Sequence, residues 1–203
     1  KIKTLQDVID SKEPVVFGAT SAGSYGSQHV RVLQSMVGAN IKLVLGYRGI
    51  KGVGKALQSG ELTAACAMAV STLKSSFRQL KDSGQFKVIV QFGKQPIPFM
   101  DNAPLFYSML KSKEDVQTAD FFFSQSAIAR PVAAPPGIPK ARLAALRKAF
   151  GAALRDPALL ARAEKIGIDV TPESAASVQQ AFAEIYATPP ALVARAKKIM
   201  GRK

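Results

Sequence analysis

Four short apolar runs punctuate the first half of this chain, and the first three are each followed by apolar residues spaced three and four apart. Val15-Val16-Phe17 leads to Val30, Leu33, Met36 and Val37. Ile41-Lys42-Leu43-Val44-Leu45 leads to Val53, Ala56 and Leu57, and Leu62 to Met68 leads to Leu73, Phe77 and Leu80. Phe86 to Phe92 closes the series. Runs of this length read as buried strands, and the spacing reads as one face of a helix. Strands joined through helices pair in parallel, so the alternation predicts an α/β chain with a mixed, parallel-rich sheet covered on both faces. Gly38, Gly60 and Gly84 stand where the three helices should stop. Ahead of the first strand, Thr4 is placed to cap a short helix through Ser11, which Pro14 then breaks.

From Gly93 to Pro104 the chain reads as a loop, with prolines at 96, 98 and 104, and the rhythm then changes. Residues 105–124 read as helical and 127–134 as extended. Pro135-Pro136-Gly137-Ile138-Pro139 opens a helix with Pro139 at its first position and Leu143, Leu146, Phe150 and Leu154 on one face. Asp156-Pro157 caps the next, with Leu160, Ala163 and Ile166 inward and Gly167 as its stop. Thr171-Pro172 and Thr188-Pro189 start two more, burying Val178, Phe182 and Ile185, then Leu192, Ala196 and Ile199. The expected division is an α/β lobe over 1–104, a hinge or crossover over 105–134 and a helical part over 135–203.

At 203 residues the chain can bury a real core, and 47% hydrophobic with 21% charged residues is a globular balance. No apolar run reaches the length of a membrane span. The start, Lys1-Ile2-Lys3-Thr4, is no secretory signal; lacking Met, it suggests a processed or cropped chain, compatible with a removed leader. The net charge of +14 favours anionic partners without choosing among small acids, nucleic acid and membrane. Much of the excess reads as solvated helix faces: Lys140, Arg142, Arg147, Lys148 and Arg155, then Arg195, Lys197, Lys198, Arg202 and Lys203. Cys66 is alone, so it forms no internal disulfide or cysteine metal cluster, and its apolar setting predicts an inert thiol.

The stretch Gly18-Ala19-Thr20-Ser21-Ala22-Gly23-Ser24-Tyr25-Gly26-Ser27-Gln28-His29 joins the first strand to the first long helix. Such a junction leaves free N–H groups and the positive end of a helix dipole, which suit a carboxylate or phosphate. Thr20, Ser21 and Ser24 add hydroxyls. The same residues also read as a tight turn with a serine N-cap. Gly49-Ile50-Lys51-Gly52-Val53-Gly54-Lys55 has P-loop spacing, but Ala56 stands where Ser or Thr should hold magnesium. His29, the sole histidine, has no orienting acid and no nucleophile elbow, so it reads as a structural or surface residue. Lys74 to Lys81 is basic, but its one aromatic, Phe77, belongs to a buried face, which argues against nucleic acid. No metal-ligand spacing or cofactor motif is present, and the chain reads as a non-enzyme.

Several segments resemble the extracytoplasmic solute receptors of the tripartite tricarboxylate transporter family, also called Bug-type receptors. The most specific is Ala134 through Phe150 (APPGIPKARLAALRKAF), followed by Asp156-Pro157-Ala158 and Ile185-Tyr186-Ala187-Thr188-Pro189-Pro190. Gly18 to Ser24 is similar to the family's ligand loop, Gly46-Tyr47-Arg48-Gly49 to its Tyr-x-Gly turn, and Gly60-Glu61-Leu62-Thr63 to its Gly-Glu-Val-Asp segment. The resemblance implies a type II periplasmic-binding-protein-like fold, with most of the N-terminal lobe lacking and the C-terminal helices belonging to that incomplete lobe. It implies a small organic carboxylate held by Thr20, Ser21, Gly23, Ser24, Tyr47, Arg48, Gly49 and Thr63, delivery to membrane permease subunits, and a periplasmic location. Thr63 replaces the family's aspartate and Ala22 a loop glycine. The alternative is a non-transport protein of the same fold with a vestigial cleft, dimerised through its orphaned C-terminal helices.

Overall fold

The computed structural model describes residues 2–128 and 130–201. Three strands, β1 (Val15–Gly18), β2 (Ile41–Val44) and β3 (Ala64–Ala65), form a parallel sheet in the order β2-β1-β3. In register, Val15 faces Ile41 and Gly18 faces Val44, while Phe17 faces Ala64 on the other side. The helices are α1 (Leu5–Ile9), α2 (Tyr25–Val37), α3 (Gly49–Gln58), α4 (Val70–Ser75), α5 (Arg78–Asp82), α6 (Lys113–Phe123), α7 (Lys140–Ala153), α8 (Pro157–Lys165), α9 (Ala175–Tyr186) and α10 (Pro190–Ile199). The α/β class expected from the alternation is the class observed.

The chain divides into two compact units, one of Lys1–Phe123 with Pro189–Lys203 and one of Ser124–Thr188. The larger unit holds the sheet. Its main core joins Val15 and Phe17 of β1 to Val30, Val32 and Leu33 of α2, with Leu5 and Val8 of α1 and Phe106. Side chains this deeply buried contribute roughly 1.5–3 kcal/mol each. At the start of α1, Thr4 Oγ1 accepts from the Asp7 N–H at 3.1 Å and the Thr4 N–H donates to Asp7 Oδ2 at 2.9 Å, a reciprocal capping box. The helix ends at Ile9, two residues before the expected Ser11.

Two expected strands fall short. Leu62 to Met68 pairs only at Ala64–Ala65, because the chain leaves the sheet at Cys66 and Ala67 adopts φ +58°. Phe86 to Phe92 forms no ladder, only a bridge between Gln91 and Leu105. The Gln91 side chain explains this: its Nε2 donates to the Ala103 carbonyl at 2.8 Å and its Oε1 accepts from the Ile97 N–H at 2.9 Å. Those bonds tie the segment to the proline-rich loop, and Pro104 offers no N–H to extend the pairing. Ile89, Val90 and Phe92 still pack against the core. Their apolar pattern reported burial rather than pairing.

The helix expected around Leu73, Phe77 and Leu80 is divided into α4 and α5 at Phe77. That ring packs into the space left by Gly54, where an added Cβ would lie 2.5 Å from Phe77 Cζ. Phe77 is buried, as the sequence suggested, and unavailable for stacking on a base. Gly54→Val should therefore cost about 2 kcal/mol by overpacking. Urea unfolding at neutral pH checks this, and an unchanged midpoint would show that the ring yields freely.

The stretch 105–124 contains a 3-10 turn at Phe106–Met109 before α6 begins, so its helix starts eight residues late. Within 127–134, a 3-10 turn runs through Ile128 and Ala129 lies outside the described residues. Pro139 flanks α7 as its N-cap instead of entering it. Asp156 caps α8 as expected, accepting from the Leu159 N–H at 3.0 Å. Ser174, beyond Thr171-Pro172, caps α9, while Thr188-Pro189 opens α10 as expected, with Pro189 at its N-cap.

α10 packs on α2 and α6 within the larger unit. Arg195, expected as a solvated charge, instead pairs with Asp115 at 2.5 Å and Glu114 at 3.2 Å on α6. The Ser112 hydroxyl, and then Arg195, hold the Asp115 carboxyl below its usual range. Arg31 of α2 donates to the Met200 carbonyl at 2.7 Å, fastening the other end of α10. Arg202 and Lys203 lie outside the described residues. In the smaller unit the apolar stripes of α7 to α9 exist but stay open: Leu146 is 52% exposed, Ile166 54% and Phe182 43%.

Candidate functional site

The central strand β1 runs into the loop Ala19–Ser24 and then α2. Chain order moves from β1 to β2 on one side and then to β3 on the other, so the strand order reverses at β1. In parallel sheets the crevice beyond the carboxyl ends of strands at such a reversal is where ligands bind. The loop after β1 and the segment Cys66–Ala69 after β3 both follow the carboxyl ends of their strands. A Cβ on Gly26, in the first turn of α2, would lie 3.5 Å from the Cys66 carbonyl oxygen, so the two approach each other there.

The loop is held by its own serines. The Ser21 carbonyl accepts from the Ser24 N–H at 3.2 Å, from Ser24 Oγ at 2.8 Å and from Ser27 Oγ. Ser24 Oγ also accepts weakly from the Ser27 N–H at 3.4 Å, so Ser24 is the N-cap of α2. The Ala19 N–H donates to the Val44 carbonyl at 2.9 Å and the Gly46 N–H to the Thr20 carbonyl at 3.3 Å, which ties the loops after β1 and β2 together. Among the described residues no acceptor meets the N–H groups of Tyr25 and Gly26, the first two of α2. They lie beside Gly23, around which there is open space, and Tyr25 is 51% exposed. The stretch is a serine-capped turn that leaves two backbone donors free at the positive end of a helix dipole.

The other anticipated residues divide. Tyr47 follows β2, and its ring reaches the end of β1, where a Cβ on Gly18 would meet it at 3.1 Å. Its hydroxyl donates to Glu61 Oε1 at 2.6 Å, which raises its pKa. Arg48 and Gly49 are exposed at the start of α3, with Gly49 at φ +65°. Thr20 is half-buried, while Ser21 and Gly23 are exposed. Thr63 stands away from this edge: it precedes β3, donates its N–H to the Val16 carbonyl at 3.0 Å, and lies two residues before the strand's carboxyl end. Sequence reasoning missed Cys66–Ala69, because nothing in Ala-Cys-Ala-Met-Ala signals a left-handed turn.

The arrangement supplies donors rather than reactive groups. His29 lies one turn into α2, 6% exposed, with Nδ1 donating to the Tyr25 carbonyl at 2.8 Å. Phe92 and Phe123 pack against its ring at centroid distances of 4.5 and 4.9 Å. Burial lowers its pKa to about 4, so it is neutral near pH 7. Burial pushes the Cys66 thiol up to about 12, in keeping with an inert sulfur. The P-loop-like stretch is no loop, since helix α3 begins at Gly49 and contains Gly52, Gly54 and Lys55. Among the described residues no group of His, Cys, Asp and Glu could hold a metal ion, and no helix is long and apolar enough to cross a membrane.

Neither a protein-family model nor a curated protein matches the sequence. A solved structure described as R. palustris Rpa4515 with adipate matches with a TM-score of 0.62 at 17% identity. The match covers 98% of this chain and 62% of that one, so this chain spans less than two thirds of its length. The two share a fold.

Proposed function

We propose that the protein is a solute-binding receptor whose ligand is a small organic carboxylate, gripped at the opening of α2. The observation that carries this reading is the pair of unpartnered N–H groups of Tyr25 and Gly26, at the carboxyl edge of the central strand. A carboxylate there gains two backbone hydrogen bonds and a favourable dipole without any deprotonation of the protein. Gly23 lets the ligand approach the backbone, while Tyr47 and Arg48 line the neighbouring loop. The adipate in the fold neighbour supports a carboxylate over a phosphate.

In this role no bond is made or broken. The ligand is captured, the protein closes on it, and it passes to a permease of the tripartite tricarboxylate type from a periplasmic location. The family segments in the sequence support that finer assignment. Isothermal titration against acetate, succinate, glutarate, adipate and benzoate tests the capture step. We expect saturable binding of at least one, with a rise in melting temperature. A folded protein that gives no heat and no thermal shift with any of them would end the receptor reading. A second reading, an interaction protein that leaves this edge unused, is favoured by the open apolar faces of α7 to α9.

A further inference from the structure

We infer that the exposed faces of α7, α8 and α9 are the contact surface of a symmetric dimer of this chain. The unit Ser124–Thr188 has only Ile128 and Ala163 among its described residues as buried apolar side chains. So little burial cannot offset the entropy of ordering a unit of this length. The apolar material is present but uncovered. Leu146 and Phe150 lie one turn apart on α7, 52% and 47% exposed; Leu160 on α8 and Ile166 at its C-cap flank buried Ala163, at 39% and 54%. On α9, Phe182 is 43% and Tyr186 87% exposed.

Area favours a second copy as the cover. With aromatic side chains burying roughly 150–250 Å² and leucine or isoleucine somewhat less, these six leave on the order of 600 Å² exposed, within the roughly 600–1,000 Å² per partner of a specific interface. A two-fold axis makes such a contact self-complementary and closed. The inference holds whether or not the opening of α2 takes a carboxylate.

Sedimentation velocity of the full chain from 1 to 100 µM tests it. We expect a shift from 21.6 kDa toward twice that mass as concentration rises. The double variant Leu146→Glu with Phe150→Glu should stay monomeric throughout, and Tyr186→Glu should weaken association at least tenfold. Leu45→Glu, at an exposed site on the larger unit, should leave the shift intact. A wild-type chain that is monomeric at 100 µM overturns the proposal, and so does a dimer indifferent to the α7 and α9 variants. Flotation with vesicles of phosphatidylserine and phosphatidylcholine supplies the other arm. Recruitment that the double variant abolishes, without any dimer in solution, assigns the faces to a membrane and overturns the proposal as well.

Discussion

Ser24→Asp should weaken carboxylate binding at least about 100-fold while leaving the protein folded. Asp loses the bond that Ser24 Oγ donates to the Ser21 carbonyl, about 1 kcal/mol, but is as good an N-cap as Ser and favours a helix N-terminus, so stability should stay within about 1 kcal/mol of the parent. What changes is the charge beside the unpartnered N–H groups of Tyr25 and Gly26. Two like charges about 4 Å apart repel by roughly 4 kcal/mol at an effective dielectric of 20. Even after solvent screening, about 2.7 kcal/mol is enough for the 100-fold loss. Calorimetry with the best ligand, run beside thermal unfolding, separates the two effects. Undiminished affinity in a folded variant would show that the opening of α2 is not where the carboxylate sits.

Acid should destabilise the larger unit through His29 before the carboxylates take over. In the fold its pKa is depressed from 6.5 to about 4 by burial among aromatic rings. For a base so depressed, the neutral form belongs to the folded state and the unfolded chain takes up the proton first. The full contribution is therefore present above pH 6.5 and is lost progressively as pH falls toward 4, a total of about 3 kcal/mol. His29→Phe removes the titrating group and keeps a ring in the aromatic cluster. The difference between parent and variant in urea midpoints at pH 7, 5.5 and 4.5 isolates it from Asp7, Asp101 and Asp115, whose lowered pKa values place their losses further down. Parallel pH curves for the two proteins would mean that the imidazole protonates without penalty.

How much was legible in the sequence follows from what side-chain patterns encode. The units β1–α2 and β2–α3 were readable because strand period, helix spacing and a glycine stop agree at each step, down to Gly38 at φ +72°. The capped opening of α2, with backbone N–H groups left over, was readable for the same reason. The fourth strand was not, since alternation reports which residues are buried and says nothing of whether a neighbour's backbone is there to pair with Gln91. The turn at Ala67 was hidden because alanine at positive φ has no compositional signal. The stripes of α7 to α9 were visible as periodicity, but periodicity cannot say what covers a face, and Leu146 and Phe150 proved open.

The Ser21 carbonyl, gripped by three donors at once, has a kinetic corollary. A loop already frozen by its own serines has nothing of its own left to organise when a carboxylate arrives, so the first encounter should proceed at a pace set by collision. Any slower exponential should then report the closing of the protein and not the loop, and selectivity among acids should reside in how fast each one escapes.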